Sequence, residues 1–131
     1  MATIAVTFPK EPKNEMRLRP AIEHFRANLG GVDYFVFKIG KSIPKSAAEG
    51  DKCYVGFDNK IQGYFIFYQA RLVKEAEAKD FENWDESAGN FIFCYFDSFK
   101  ELPEPKPIYE RGWTGFRYWN DVLREGWVQA P

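Results

Sequence analysis

The sequence predicts an α+β domain: a small, curved, mixed β-barrel of about five or six strands with peripheral helices. Three observations carry this. Residues 50–73, GDKCYVGFDNKIQGYFIFYQARLV, read as a β-hairpin whose second arm is apolar on both faces, as expected of a strand covered on both sides. A lone glycine, Gly63, interrupts that bulky arm, which marks a sharp bend or a close backbone approach. Short strand-like and helix-like runs fill the rest of the chain, without internal repeats.

At 131 residues, of which 45% are hydrophobic, the chain makes a single domain, 1–131. Aromatic residues make up 18%, more than a core of this size consumes, so part of them is available to line a pocket. A net charge of −1 and a pI near 5.9 argue against a strong, sequence-blind nucleic-acid binder, which is basic as a whole. The charge is uneven, however. Residues 10–45 hold eight Lys/Arg against four acids, and residues 74–104 hold three Lys against nine acids. A basic half permits a local anion site in an acidic protein.

The elements follow in order. Residues 3–8, TIAVTF, form a first strand stopped by Pro9. Pro20 opens a helix in which Ala21, Ile22, Phe25 and Leu29 recur at helical spacing, and Gly30 and Gly31 end it. His24, the only histidine, falls on this helix among polar residues and reads as solvated. Residues 32–39 form a strand with Phe35, Phe37 and Ile39 on the core face and Tyr34, Val36 and Lys38 on the other. Residues 42–51 are a connector broken by Pro44. In the hairpin, Cys53, Val55 and Phe57 share a face. Asp58, Asn59 and Lys60 make the turn. Gly63, Phe65, Phe67, Gln69 and Arg71 then oppose Tyr64, Ile66, Tyr68, Ala70 and Leu72. An acidic, partly helical excursion at 74–87 is tacked down by Phe81 and Trp84. Residues 90–99 form another strand. The proline-rich 101–112 crosses the surface in extended form, and a short helix spans about 118–125.

Cys53 and Cys94 each sit in an apolar strand-like run, where free thiols behave as small hydrophobes. There is no CxxC or His/Cys cluster, so no metal site is implied, and no phosphate-loop or dinucleotide motif, so no cofactor is. No apolar run reaches the roughly 20 residues that cross a bilayer. These features imply a soluble cytoplasmic protein with reduced thiols and no membrane partner. The oligomeric state stays open.

Two stretches carry candidate chemistry. In 112–120, GWTGFRYWN, Trp113 and Tyr118 offer faces that stack on a planar ligand, and Arg117 a rigid fork of donors for a carboxylate, phosphate or base edge. Phe116 and Trp119 read as a plug at the end of the barrel. In 37–42, FKIGKS, the strand opens into a loop that places Lys38, Lys41 and Ser42 at a mouth.

These stretches carry a resemblance to the PUA-like superfamily and, within it, to the ASCH, EVE and YTH relatives. VFKIGKS resembles the strand and loop at which such domains open their pocket. GDKCYVGFDNKIQGYFIFYQARLV is similar to their core hairpin, and GWTGFRYW resembles the closing segment of some ASCH-like proteins. The similarity covers residues 34–119. The chain departs from the ASCH signature after Gly40 and Lys41, where Ser42 follows and no Glu-x-Arg pair is present. The resemblance implies a small curved barrel whose pocket takes RNA or a modified base. The expected function is therefore a nucleic-acid-binding module, with Lys38, Lys41 and Ser42 toward phosphate and Trp113, Arg117 and Tyr118 toward the base. Two alternatives remain open. One is a small enzyme on the same fold, a ribonuclease or an amidohydrolase acting on a modified nucleoside, using Lys38 or Lys41 with Tyr118 or an acid. The other is a protein-interaction domain.

Overall fold

Alternation sorts the strands into two faces, and most of the phenylalanines go to one of them. A computed structural model describes residues 2–8, 18–74, 88–109, 113 and 115–128. The elements are β1 (Ile4–Thr7), α1 (Leu18–His24), β2 (Arg26–Leu29), β3 (Val32–Ile39), β4 (Lys52–Phe57), β5 (Lys60–Val73), β6 (Gly89–Pro107), β7 (Phe116–Tyr118) and α2 (Trp119–Arg124). The acidic excursion, with Phe81 and Trp84, lies outside the described residues.

The strands make one mixed sheet in the order β2-β3-β6-β5-β4-β1-β7. Among the described residues, only β1 and β4 pair in parallel. The sheet thus has seven strands rather than five or six. Its pairing does not join β2 to β7 among the described residues, so a hydrogen-bonded barrel closure is not part of it.

The sheet is nonetheless strongly curled. β1 and β3 are four places apart in the sheet order, which in a flat sheet would separate them by about 19 Å. Yet the Phe8 ring, one residue past β1, lies 6.2 Å from Phe37 and 6.4 Å from Phe35 on β3. It also lies 5.2 Å from Phe57 and 5.0 Å from Phe25. The inner face therefore closes on itself, and its core holds Ile4, Val6, Phe35, Phe37, Ile39, Cys53, Val55, Phe57, Phe65, Phe67, Ile92 and Cys94. Burying each large side chain contributes about 1.5–3 kcal/mol. α1 covers this core with Ala21 and Ile22. Both cysteines are buried free thiols. Burial, together with the neighbouring Cys53 thiol, raises the pKa of Cys94.

Two elements differ from the expectation. The helix expected to run to Leu29 stops at His24, and residues 26–29 form β2 instead. Gly30 and Gly31 both take positive φ, 61° and 83°. They join Leu29 to its partner Val32 as a two-residue hairpin turn rather than capping a helix. The proline-rich stretch 101–107 is extended, as expected, but belongs to β6. It pairs with β5 alone, and two steps along β5 from Ile61 to Gly63 face five steps along β6 from Lys106 to Glu101. Pro103 and Pro105 sit in that irregularity, where a missing N–H breaks no ladder.

Gly63 is the close backbone approach that the sequence marks. A Cβ there would collide with the Lys100 carbonyl oxygen and come within 2.6 Å of Phe99 Cζ. The backbone of β6 cannot yield to it cheaply. Gly63→Ala is expected to lower stability by about 1–3 kcal/mol, the cost of overpacking, and Gly63→Val by more. Urea melts of the two variants beside the parent check this; an unchanged midpoint would show that the close approach is absent.

Candidate functional site

The expected site residues divide between the two faces. β7 runs along β1 with Tyr118 opposite Ile4, Arg117 opposite Ala5 and Phe116 opposite Val6. Phe116 and Tyr118 therefore pack against the inner core, and Arg117 lies on the outer face. At one end of the curl the start of β7 meets the end of β3: a Cβ on Gly115 would lie 3.4 Å from the Gly40 nitrogen. The Tyr118 hydroxyl accepts a hydrogen bond from the Ser46 N–H at 3.3 Å. The structure thus brings Tyr118 to the loop that carries Lys41 and Ser42, both exposed. Ile43 and Ala47 of that loop pack against the core, and Pro44 is buried, so apolar side chains fill this mouth.

The other three expected residues lie elsewhere. Trp113 is 7% exposed. Its indole N–H donates to the Ala5 carbonyl at 3.1 Å, and its backbone N–H and C=O both bond the Thr7 hydroxyl. Its ring packs with Ala5, Ile61, Val122 and Val128 in a second core beneath α2. It anchors the closing segment to β1, so the stacking face expected of it is spent on packing. The Arg117 guanidinium lies 4.8 Å from the Trp127 ring, which itself lies 5.6 Å from Trp113. Lys38 is half-buried, its Cε against Gly89 and its ammonium 6.0 Å from the Phe91 ring. Trp119, expected inside as a plug, stacks on Tyr54 of β4 at 4.3 Å.

A different set of residues forms a continuous surface. Eight of the twelve described phenylalanines are buried, and none of the seven tyrosines is. A phenol keeps its hydroxyl wet while its ring packs, so five of the seven tyrosines take the half-exposed outer face. Across the strands, Tyr34 of β3 faces Tyr95 of β6, Tyr95 faces Ile66 of β5, and Ile66 faces Lys52 of β4. One step along, Tyr64 faces Tyr54. Tyr34 and Tyr68 stack at 5.3 Å, and Tyr68 and Tyr95 also lie 5.3 Å apart. Cations lie over rings of this face: Lys52 Nζ is 4.7 Å from the Tyr64 centroid, and the Arg71 guanidinium 4.8 Å from that of the buried Phe93. The result is an aromatic platform with cations on it. In the sequence it shows only as tyrosines at alternate positions on the non-core face of four strands.

One rim of the platform is a tightly held turn. The Asp51 carboxylate accepts from the N–H groups of Ala48 and Ala2, each at 2.8 Å, and the Ala48 bond above all lowers its pKa. Gly50 N–H donates to the Phe67 carbonyl, Phe67 N–H to the Asp51 carbonyl, and Asp51 N–H to the Ala48 carbonyl. Glu49, at the tip, accepts from the Tyr95 hydroxyl at 2.8 Å. Among the described residues no group of three or more His, Cys, Asp or Glu gathers to hold a metal ion, and no helix is long and apolar enough to cross a membrane. Comparison with protein-family models, with curated proteins and with solved structures finds no match.

The hydrogen bond to Glu49, with lesser contributions from burial, pushes the Tyr95 phenol from 10.0 up to about 12. The folded chain therefore holds this proton longer than the unfolded one. The stabilisation is complete below the unfolded value and is lost as pH rises through the folded one. The difference in urea midpoint between the parent and Tyr95→Phe is expected to be constant below about pH 10 and to shrink toward about pH 12. A difference independent of pH up to 12 would remove the Tyr95–Glu49 bond from the account.

Proposed function

We propose that the chain is a cytoplasmic nucleic-acid-binding module of the PUA-like kind that takes single-stranded RNA or a modified base. On this reading the curled sheet is a small barrel, closed by the side chains around Phe8 instead of by a ladder. The observation that carries the reading is the outer platform of Tyr34, Tyr64, Tyr68 and Tyr95, with Lys52 over Tyr64 and Arg71 over the buried ring of Phe93. Unpaired bases stack on aromatic faces whatever their identity, while cations among the rings meet the backbone phosphates. A duplex hides its base faces and gains nothing from such a surface. Phenylalanine rings fill the inner face. The binding surface therefore lies on the outside of the curl, away from the Lys41–Ser42 mouth that the sequence points to. A net charge of −1 fits modest affinity that rests on stacking more than on charge.

The two kinds of contact differ in their response to salt. Tyr64→Ala is expected to weaken binding of a single-stranded RNA hexamer by about 1–3 kcal/mol, the range of one lost stack, with little change in salt slope. Lys52→Ala is expected to lower the slope by about one unit, since one phosphate contact is lost. Fluorescence anisotropy from 20 to about 300 mM salt, on variants shown to be folded, measures both. Equal affinity for duplex and single strand, or salt-independent binding of a neutral polysaccharide in place of RNA, would contradict the proposal.

A further inference from the structure

The platform has one rim whose chemistry is fixed before any ligand arrives. Four hydrogen bonds within and around residues 48–51 hold the turn against the start of the platform on β5: Ala48 N–H to the Asp51 carboxylate, Asp51 N–H to the Ala48 carbonyl, Gly50 N–H to the Phe67 carbonyl and Phe67 N–H to the Asp51 carbonyl. Gly50 takes a φ of +98°, which only glycine adopts without strain and which turns the chain back toward β5. Phe67 is the residue before Tyr68, and the register of β5 against β6 shifts at this point. The turn and the platform are therefore one construction. Glu49 is exposed, yet its carboxylate is not adrift: the Tyr95 hydroxyl holds Oε2 at 2.8 Å. Tyr95 lies 5.3 Å from Tyr68 and 6.1 Å from Tyr34. The carboxylate thus sits at the hydroxyl of Tyr95, whose ring belongs to the three-tyrosine cluster. A base stacked on the Tyr95 ring would bring its edge toward that carboxylate.

We infer that Glu49 is a specificity-determining residue that selects guanine at the Tyr34/Tyr68/Tyr95 end of the platform, an inference that rests on the nucleic-acid reading above. An ionised carboxylate only accepts hydrogen bonds. Guanine presents two adjacent donors on its Watson–Crick edge, N1–H and the N2 amine, which match two carboxylate oxygens. Adenine and cytosine present one amine beside a ring nitrogen whose lone pair the carboxylate repels. Uracil presents one N–H between two carbonyls. A carboxylate with one oxygen already located has lost less freedom on binding than a mobile side chain, so more of the interaction appears as discrimination. Tyr95 is the positioning residue: its ring belongs to the stacking surface, and its hydroxyl aims Glu49.

The test compares single-stranded RNA hexamers UUGGUU, UUIIUU (inosine, which lacks the N2 amine) and UUUUUU at low salt. The parent protein is expected to bind UUGGUU about tenfold more tightly than UUUUUU, the scale of one good bidentate base contact, with UUIIUU between them. In Glu49→Gln the guanine-to-uridine ratio is expected to fall toward one, and the guanine-to-inosine difference to vanish. Tyr95→Phe keeps the ring and frees the carboxylate, so its ratio is expected to fall part of the way. A structural role for Glu49 would alter all three affinities together and leave the ratios alone. Equal binding of UUGGUU and UUUUUU by the parent, or an unchanged ratio in Glu49→Gln, overturns the guanine assignment while the nucleic-acid reading stands. Binding of none of the three by folded parent protein overturns both.

Discussion

Everything in this fold depends on the contact between Phe8 and the rings of β3. Hydrogen bonding alone would leave those strands on opposite sides of three intervening strands. Ring centroids 6.2 and 6.4 Å apart require the sheet to bend round until its inner face meets itself. Burial of apolar surface supplies the drive, since a sheet with one continuous apolar face gains most by covering it with itself and one short helix. The bend is made locally, by the irregular pairing between β5 and β6 and by the absence of a side chain at Gly63.

The curl decides where function can reside. Once the phenylalanines fill the inside, little of the concave face remains to be shared with a ligand. On the convex side, the rings of Tyr34, Tyr64, Tyr68 and Tyr95 still meet solvent. The same physical sorting that builds the core therefore lays out the platform: most phenylalanines close inward, Phe91 and Phe93 are buried on the outer face, and the outer tyrosines keep their hydroxyls at the boundary. Trp113 belongs to this logic too. Its indole N–H is bonded and its ring is covered, and its contribution is to fasten the C-terminal segment over β1.

Much of the fold was legible in the residues themselves. The faces of β3, β4 and β5, the turn at Asp58 and Asn59 (φ 54° and 60°) and the close approach at Gly63 follow from period-two alternation and from turn chemistry. The short helix near 118–125 is there as Trp119–Arg124. β2 was hidden, because Gly30 and Gly31 serve equally as a helix stop and as a hairpin turn, and only pairing with Val32 separates the two. The candidate site was legible only in fragments. Alternation places Tyr34, Tyr64 and Tyr68 off the core, but it does not say that β3, β6 and β5 lie side by side, so the platform emerges only with the strand order. Glu49 was less visible still. It lies in a loop that reads as a connector, and its meaning comes from Tyr95, 46 residues away in sequence.

The central claim is that the convex tyrosine face, and not the Lys41–Ser42 mouth, meets the ligand. Selective labelling of tyrosine rings for NMR tests this directly, because the seven tyrosines report from both places. On adding a single-stranded RNA hexamer, the account predicts shifts in the ring resonances of Tyr34, Tyr64, Tyr68 and Tyr95, with Tyr118 unmoved. Shifts confined to Tyr118, with the four platform rings unchanged, would contradict it.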